Sequence, residues 1–318
     1  MKKQTAMIYA FGHFLVDFSC AYLLLSKQPY PWLFVVYNFC AFALQMPIGL
    51  LADMIGYNQK ISLLGAGLAA SAYLPIPVTL RVLLLGVGNA CYHVGGGREA
   101  LLTDKRLLSL GIFVSPGAIG ILLGSMCAGT SLFSILIPIA VLILIIFLLL
   151  FCPKRKILVP AGKPSIRSCV LMFTVVLARS FVGLCMHTPW KTGVFLILAG
   201  IASAAGKFLG GLMADRIGSK STAIASLVIS ACLFCIPDFA IAGVLGCLFF
   251  NMTMPITLKG ASVALPGLEG FSFGLLTFGL FWGYLPAVAG FMLPPWIGAV
   301  ISLLCALLLM LHKEKRHD

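Results

Sequence analysis

The chain has 318 residues, of which 61% are hydrophobic and 10% charged, and its mean hydropathy is +1.08. Soluble domains carry roughly 25% charged residues, so the composition excludes a soluble globular protein and leaves no segment for a sizeable soluble domain. The net charge of +13 belongs to residues that flank apolar runs, so the expected partner is a lipid bilayer and not nucleic acid.

A bilayer core about 30 Å thick requires roughly 20 mostly apolar residues per spanning helix. Apolar runs between Pro, Gly and charge punctuation predict twelve helices. The first six are 6–26, 32–52, 60–77, 78–98, 106–129 and 131–151, and the last six are 168–188, 191–213, 220–237, 238–258, 268–290 and 292–312. The expected fold is an all-α membrane protein with an N-terminal bundle (1–151), a linker (152–167) holding "PKRKILVPAGKPSIR", a C-terminal bundle (168–312) and a short tail (313–318).

The opening "MKKQTAMIYAFGHFLVDFSCAYLLLSK" has the basic start of a signal peptide. Its apolar core carries ionisable residues and no small-x-small cleavage site, so it is expected to remain as the first span. Eleven cysteines are scattered through apolar segments. Cys232 and Cys235 form a C-x-x-C within one predicted helix, without a second pair or a nearby His, and read as packing or lipid-facing residues. No metal and no cofactor is expected.

With a cytoplasmic N-terminus, seventeen of the 22 Lys and Arg residues flank inner helix ends. Three (Lys27, Arg81, Lys191) fall outside, and Arg179 and Lys207 lie within spans. The positive-inside rule then predicts both termini in the cytoplasm, and so a multi-pass protein of the inner, cytoplasmic membrane.

The chain repeats itself. "GLLADMIG" (49–56) and "GLMADRIG" (211–218) agree at six of eight positions, at an offset of 162 residues. The same shift sets Asp17 on Arg179 and Asn89 on Asn251. Duplicated halves related by an axis along the membrane normal, with a substrate site between them, describe major-facilitator transporters.

The chain resembles the major facilitator superfamily at these residues, since that family carries G-x-x-x-D-R-x-G-x-K/R after its second helix. Gly211, Asp215, Arg216, Gly218 and Lys220 fit this pattern. Gly49, Asp53 and Gly56 fit it partly, with Met54 and Tyr57 where basic residues are usual, so the first copy is expected to make the weaker lock. Glycine lets two helix ends approach, and a carboxylate at a helix terminus can hold a neighbouring bundle through its dipole or an Arg.

A narrower resemblance is to the fosmidomycin-resistance-like branch. It rests on His13, Phe14 and Asp17, on "GVGNACYHVGGGR" with Gly86, Gly88, His93 and Arg98, on Arg179 with Ser180, and on "MPITLKGASVALPGLEGFSFG". Val94 and Gly95 replace that branch's Pro and Glu. "GIFVSPGAIGILLG" (111–124) resembles the fifth-helix motif of proton-coupled exporters. The resemblance implies helices 1, 4, 7 and 10 around a central cavity, with Asp17 and Arg179 at its wall.

His13 and Asp17 are four residues apart and share one helix face. A charge at a helix centre costs roughly 2.5–3.5 kcal/mol, so such residues usually face a cavity or a partner. One reading makes Asp17 a proton-coupling carboxylate with His13 and His93 as relays. The other makes it a static partner of Arg179. Arg179 presents a planar fork suited to phosphate, phosphonate or carboxylate, and Asn89, Asn251 and Thr253 offer hydrogen bonds to the same ligand. Lys207 reads as a gate or snorkelling residue. Arg98 and Glu99, with Asp104, Lys105, Arg106, Lys259 and Glu269, read as ion pairs of an inner gate alongside Asp53, Asp215 and Arg216.

No G-x-x-x-x-G-K-[ST], catalytic triad or metal-ligand spacing occurs, so neither an enzyme nor an ATP-driven pump is expected. The expected protein is a monomeric secondary transporter that exports a small anionic or amphiphilic molecule, drug- or phosphonate-like by resemblance, on a proton gradient. The alternatives are a metabolite uniporter or importer with a structural Asp17–Arg179 pair, and a transporter-like sensor that binds without cycling.

Overall fold

The computed structural model describes residues 3–26 and 30–311. The expected tail at 313–318, and Lys2, Lys27, Lys313, Lys315 and Arg316 of the charge tally, lie outside the described residues. Within them the chain forms fourteen α-helices and one π-helical turn. Nine segments are long and apolar enough to cross a membrane, and Ser219–Phe234 and Pro295–Leu311 are shorter apolar helices. The protein is an integral, multi-pass membrane protein. Large apolar side chains such as Leu142, Ile146 and Leu150 are exposed along one helix, as a lipid-facing surface requires.

The first half contains α1 (Lys3–Ser26), α2 (Pro31–Asn38), α3 (Gln45–Ile55), α4 (Asn58–Ser71), α5 (Val78–Thr103), α6 (Leu107–Met126) and α7 (Phe133–Phe151). The second contains α8 (Ile166–Cys185), α9 (Gly193–Ile217), α10 (Ser219–Phe234), α11 (Ala240–Asn251), α12 (Thr253–Ala264), α13 (Glu269–Val288) and α14 (Pro295–Leu311). Within the first half α1 packs on α6 and α4 on α5. Within the second α8 packs on α13, α9 on α11, and α10 on α14. The halves meet chiefly where α6 lies on α9 and α3 on α13.

Two expected spans are interrupted, for one physical reason. The run 32–52 contains a π turn at Phe39–Ala43, closed by Leu44 N–H donating to the Phe39 carbonyl at 3.2 Å. The run 238–258 breaks at Met252. Pro47 and Pro255 each follow three residues after the irregular residue, Leu44 or Met252. Proline lacks an N–H, and its ring collides with the carbonyl four residues earlier, here Ala43 and Asn251. In a membrane such irregular backbone belongs where protein lines it.

Candidate functional site

The interior of the first half gathers four polar side chains from two helices. His13 (α1) and Asp17 (α1) are 4% and 6% exposed, and their Nε2 and Oδ2 atoms are 3.2 Å apart. α5 brings His93 Nε2 to 3.7 Å from Asp17 Oδ1, and Asn89 Nδ2 donates to that same oxygen at 2.7 Å. The imidazoles meet edge to face with centroids 4.2 Å apart.

The tautomers follow from the partners. His13 Nδ1–H donates to the Phe113 carbonyl at 2.6 Å, and His93 Nδ1–H to the Asn89 carbonyl at 2.9 Å. Pro116 loosens the turn of α6 that carries Phe113, since it removes a backbone donor. With both Nδ1 positions protonated, both Nε2 lone pairs turn toward a carboxylate. Acceptors facing acceptors repel, so the cluster requires a cation, such as a proton, shared among them. Gly117 supplies the room: a Cβ there would strike His13 Nε2 and Asp17 Oδ2. The group assembles a cluster that linear spacing hid, because residues 13 and 17 are separated from 93 by three helices. The three atoms lie within 4.8 Å of one another, as metal-ligating sets do, where the sequence was expected to hold no such group.

Arg179 (α8) occupies the interior of the second half and is 8% exposed. Its Nη2 donates to the Phe250 carbonyl at 2.8 Å, and its guanidinium lies 5.0 Å from the centre of the Phe250 ring. That carbonyl lies in the last turn of α11, beside the α11–α12 break, and also accepts from Thr253 Oγ1. Arg179 Nε is buried without a hydrogen-bond partner. Arg179 and Asp17 are not within ion-pair distance: Asp17 is held by the histidines and Asn89, so the static pair weighed from the repeat is absent in this structure. Asn89 therefore sits with the Asp17 cluster instead of a ligand site around Arg179. Asn251 donates to Cys247 O at 2.8 Å within α11, and Thr253, at the start of α12, donates to Phe250 O of α11 at 3.1 Å, so both turn these donors onto nearby backbone. Lys207 (α9) is within electrostatic reach of Asp17, His93 and Arg179.

At one end of the molecule the repeat forms a reciprocal lock. Asp53 (α3) accepts Gly270 N–H at 2.9 Å and Phe271 N–H at 2.8 Å, in the first turn of α13. Asp215 (α9) accepts Leu107 N–H at 2.8 Å and Leu108 N–H at 2.9 Å, in the first turn of α6. The first amides of a helix have no partner within it and carry its positive dipole end. Each carboxylate satisfies two of them, in the opposite half of the chain. Gly49 and Gly211 allow this approach, since a Cβ at Gly49 would enter the Gly270 backbone and one at Gly211 the Leu107 carbonyl.

The expectation of a weak first copy is corrected. Arg98 (α5), fully buried, donates from Nε to Asp53 Oδ1 at 2.7 Å, from Nη1 to Asn58 Oδ1 at 2.7 Å and from Nη2 to the Ile157 carbonyl at 3.0 Å. α5 thus supplies the cation that Met54 and Tyr57 do not. Glu99 accepts from Asn58 at 2.7 Å and lies 3.4 Å from Arg155. These ion pairs tie α3, α5 and the linker within the first half; they were expected across the gate. Between the halves Lys259 reaches the Leu101 carbonyl at 3.3 Å. Arg216 is exposed in the last turn of α9, and Glu269 is buried with Oε1 accepting Gly267 N–H at 3.1 Å.

The linker joins this network. Ile157 N–H donates to Gly56 O at 2.8 Å on the first half, while Gly162 and Ser165 donate to Pro266 O and Ala264 O at 3.2 and 2.8 Å on the second. Sequence reasoning missed Asn58, Gly117, Arg155 and the Phe250 carbonyl. Only the polarity of Asn58 beside an apolar run offered a signal.

The helical arrangement is the fold of major facilitator superfamily transporters. A crystal structure of the E. coli fucose:proton symporter FucP aligns with a TM-score of 0.67 at 14% identity, over 96% of both chains. A second FucP structure, described as a Major Facilitator Superfamily transporter in the outward conformation, aligns with a TM-score of 0.67 at 14% identity over 97% of both. No family model and no curated protein matches the sequence.

Proposed function

We propose that the protein is a secondary transporter with twelve spans in two six-helix bundles, 1–151 and 168–312, that rock about a central site by alternating access. It acts as a monomer in the inner membrane, with both termini in the cytoplasm. Proton movement through Asp17, His13 and His93 drives export of a small anionic or amphiphilic molecule held at Arg179. The observation that carries the reading is the mirrored pair of carboxylate caps, Asp53 on α13 and Asp215 on α6. Hydrogen bonds between two halves at one end can break and re-form without unfolding either half, as switching between two states requires. The positive-inside count makes this the cytoplasmic end, so the state described is closed to the cytoplasm.

Arg179 supports an anionic substrate, because its buried Nε has no partner and its charge is not removable at working pH. The Asp17 cluster supports proton coupling through its need for a shared cation. In proteoliposomes with an imposed pH gradient, substrate flux is expected to collapse for Asp17→Asn while the protein still folds. Unchanged coupling would remove Asp17 from the mechanism. Arg179→Lys is expected to weaken anion binding strongly, and survival of binding would redirect the substrate to cations or neutral compounds. Likeness to a fucose:proton symporter favours a second reading, proton-driven import, which the sign of the flux on the same gradient separates from export.

A further inference from the structure

We propose that His13, Asp17 and His93 bind a single divalent transition-metal ion of zinc-like character. The inference rests on the cluster's geometry and not on the transport reading; the ion and a coupling proton would compete for the same three side chains. Zinc holds imidazole nitrogen and carboxylate oxygen at about 2.0–2.2 Å, so neighbouring ligands of a tetrahedral ion lie about 3.3–3.6 Å apart. His13 Nε2 lies 3.2 Å from Asp17 Oδ2 and His93 Nε2 3.7 Å from Asp17 Oδ1, close to that spacing, and one ligand atom from each of the three residues lies within 4.8 Å of the other two.

Both histidines aim Nε2, the nitrogen not engaged by a backbone carbonyl, at the shared space. Each gives its other N–H to a backbone carbonyl, Phe113 for His13 and Asn89 for His93, the outer arrangement by which ligating imidazoles are oriented. Asn89 Nδ2 holds the carboxylate in the same way at 2.7 Å. The backbone of α6 closes one side at Gly117, where any side chain would press on two of the three ligand atoms.

The donor set selects the class of ion. Two imidazoles with one carboxylate suit Zn²⁺, Co²⁺, Ni²⁺ and Cu²⁺, whereas Mg²⁺ and Ca²⁺ require oxygen-rich shells. Three protein ligands leave a fourth position open, as in zinc sites that exchange a ligand. One charge opposes the ion: the Lys207 ammonium, which interacts with both Asp17 and His93.

The test uses the full chain, freed of any affinity tag, in detergent and without substrate or gradient. Titration with Co²⁺ is expected to give one visible-absorbing ion per chain, with bands of nitrogen and oxygen ligation, displaced by one equivalent of Zn²⁺ and not by excess Mg²⁺ or Ca²⁺. His93→Ala and Asp17→Asn are expected to weaken binding more than about tenfold, as is Gly117→Ala, which keeps all three ligands. His187→Ala is expected to change nothing, and Lys207→Gln to tighten binding. Folded wild-type protein that gives no such spectrum overturns the proposal, as does Co²⁺ binding that survives His93→Ala and Asp17→Asn in folded variants. Absence of proton-coupled flux for the wild-type chain in vesicles, with one metal ion still bound per chain, would count against the transport reading alone.

Discussion

Asp53 and Asp215 stand 162 residues apart, and each closes two orphan amides of a helix in the other half, yet one is buried and the other exposed. The helices they cap, α6 from Leu107 and α13 from Glu269, begin at the same offset. Symmetry therefore extends from the motif to its receptor. The surroundings are not symmetric. Asp53 stays bonded to Arg98 of its own half, whereas position 260, which the offset sets on Arg98, is glycine. In the rocking motion proposed above, Asp53 would keep a cation while Asp215 would be left to solvent. A buried carboxylate needs such a permanent partner and an exposed one does not, so one duplicated motif is supported in two ways.

The comparison breaks most severely at Arg98. Arg98→Ala strands Asp53, Asn58 and the Ile157 carbonyl together, and loss of one partner of a buried ion pair typically costs about 3–5 kcal/mol. A large fall in the thermal unfolding temperature in detergent is expected. Arg98→Lys should recover only part of it, since one ammonium cannot serve three acceptors in a plane. An equal effect from Gly260→Ala would show that the asymmetry is unimportant.

Next come the caps themselves. Asp53→Ala and Asp215→Ala each remove two charge-assisted hydrogen bonds to the opposite half, at about 1.5–3 kcal/mol per bond when buried and less when exposed, and Asp53→Ala also takes the carboxylate from Arg98. Hydrogen exchange read by mass spectrometry should rise at Gly270 and Phe271 in the first variant and at Leu107 and Leu108 in the second. The rise is expected to be larger for Asp53→Ala. The reverse order would place the stronger lock at the exposed copy.

The smallest effect lies beside the Asp215 lock, in the loop between α5 and α6. Burial raises the Asp104 carboxyl, but hydrogen bonds from the Arg106 side chain, Ser109 and the Arg106 N–H, with the Arg106 charge, outweigh it and hold the group below its usual value. A depressed carboxylate stabilises the fold above its unfolded value of about 3.9 and loses that contribution as pH falls below it. The Arg106 side chain is 66% exposed, so solvent screening limits the term to about 1 kcal/mol or less. Asp104→Asn should flatten the stability profile slightly between about pH 4 and 2, and a profile identical to wild type would assign the acid loss elsewhere.

Composition alone determined the environment, because 10% charge cannot clothe a soluble surface. Apolar run length determined where most helices lie, and the i, i+4 spacing determined that His13 and Asp17 meet. The repeat located both capping carboxylates, since an offset in sequence survives as an offset in structure. What each carboxylate touches was decided only by tertiary packing. Arg98 reaches Asp53, and His93 reaches Asp17, across helices distant in sequence, and no local rule encodes such distances. The same holds for Asp17 and Arg179. Matching positions made them candidates for a pair, but α5 delivered an imidazole ring and an amide to the Asp17 that α1 already sets beside His13, and the end of α11 delivered a carbonyl to Arg179.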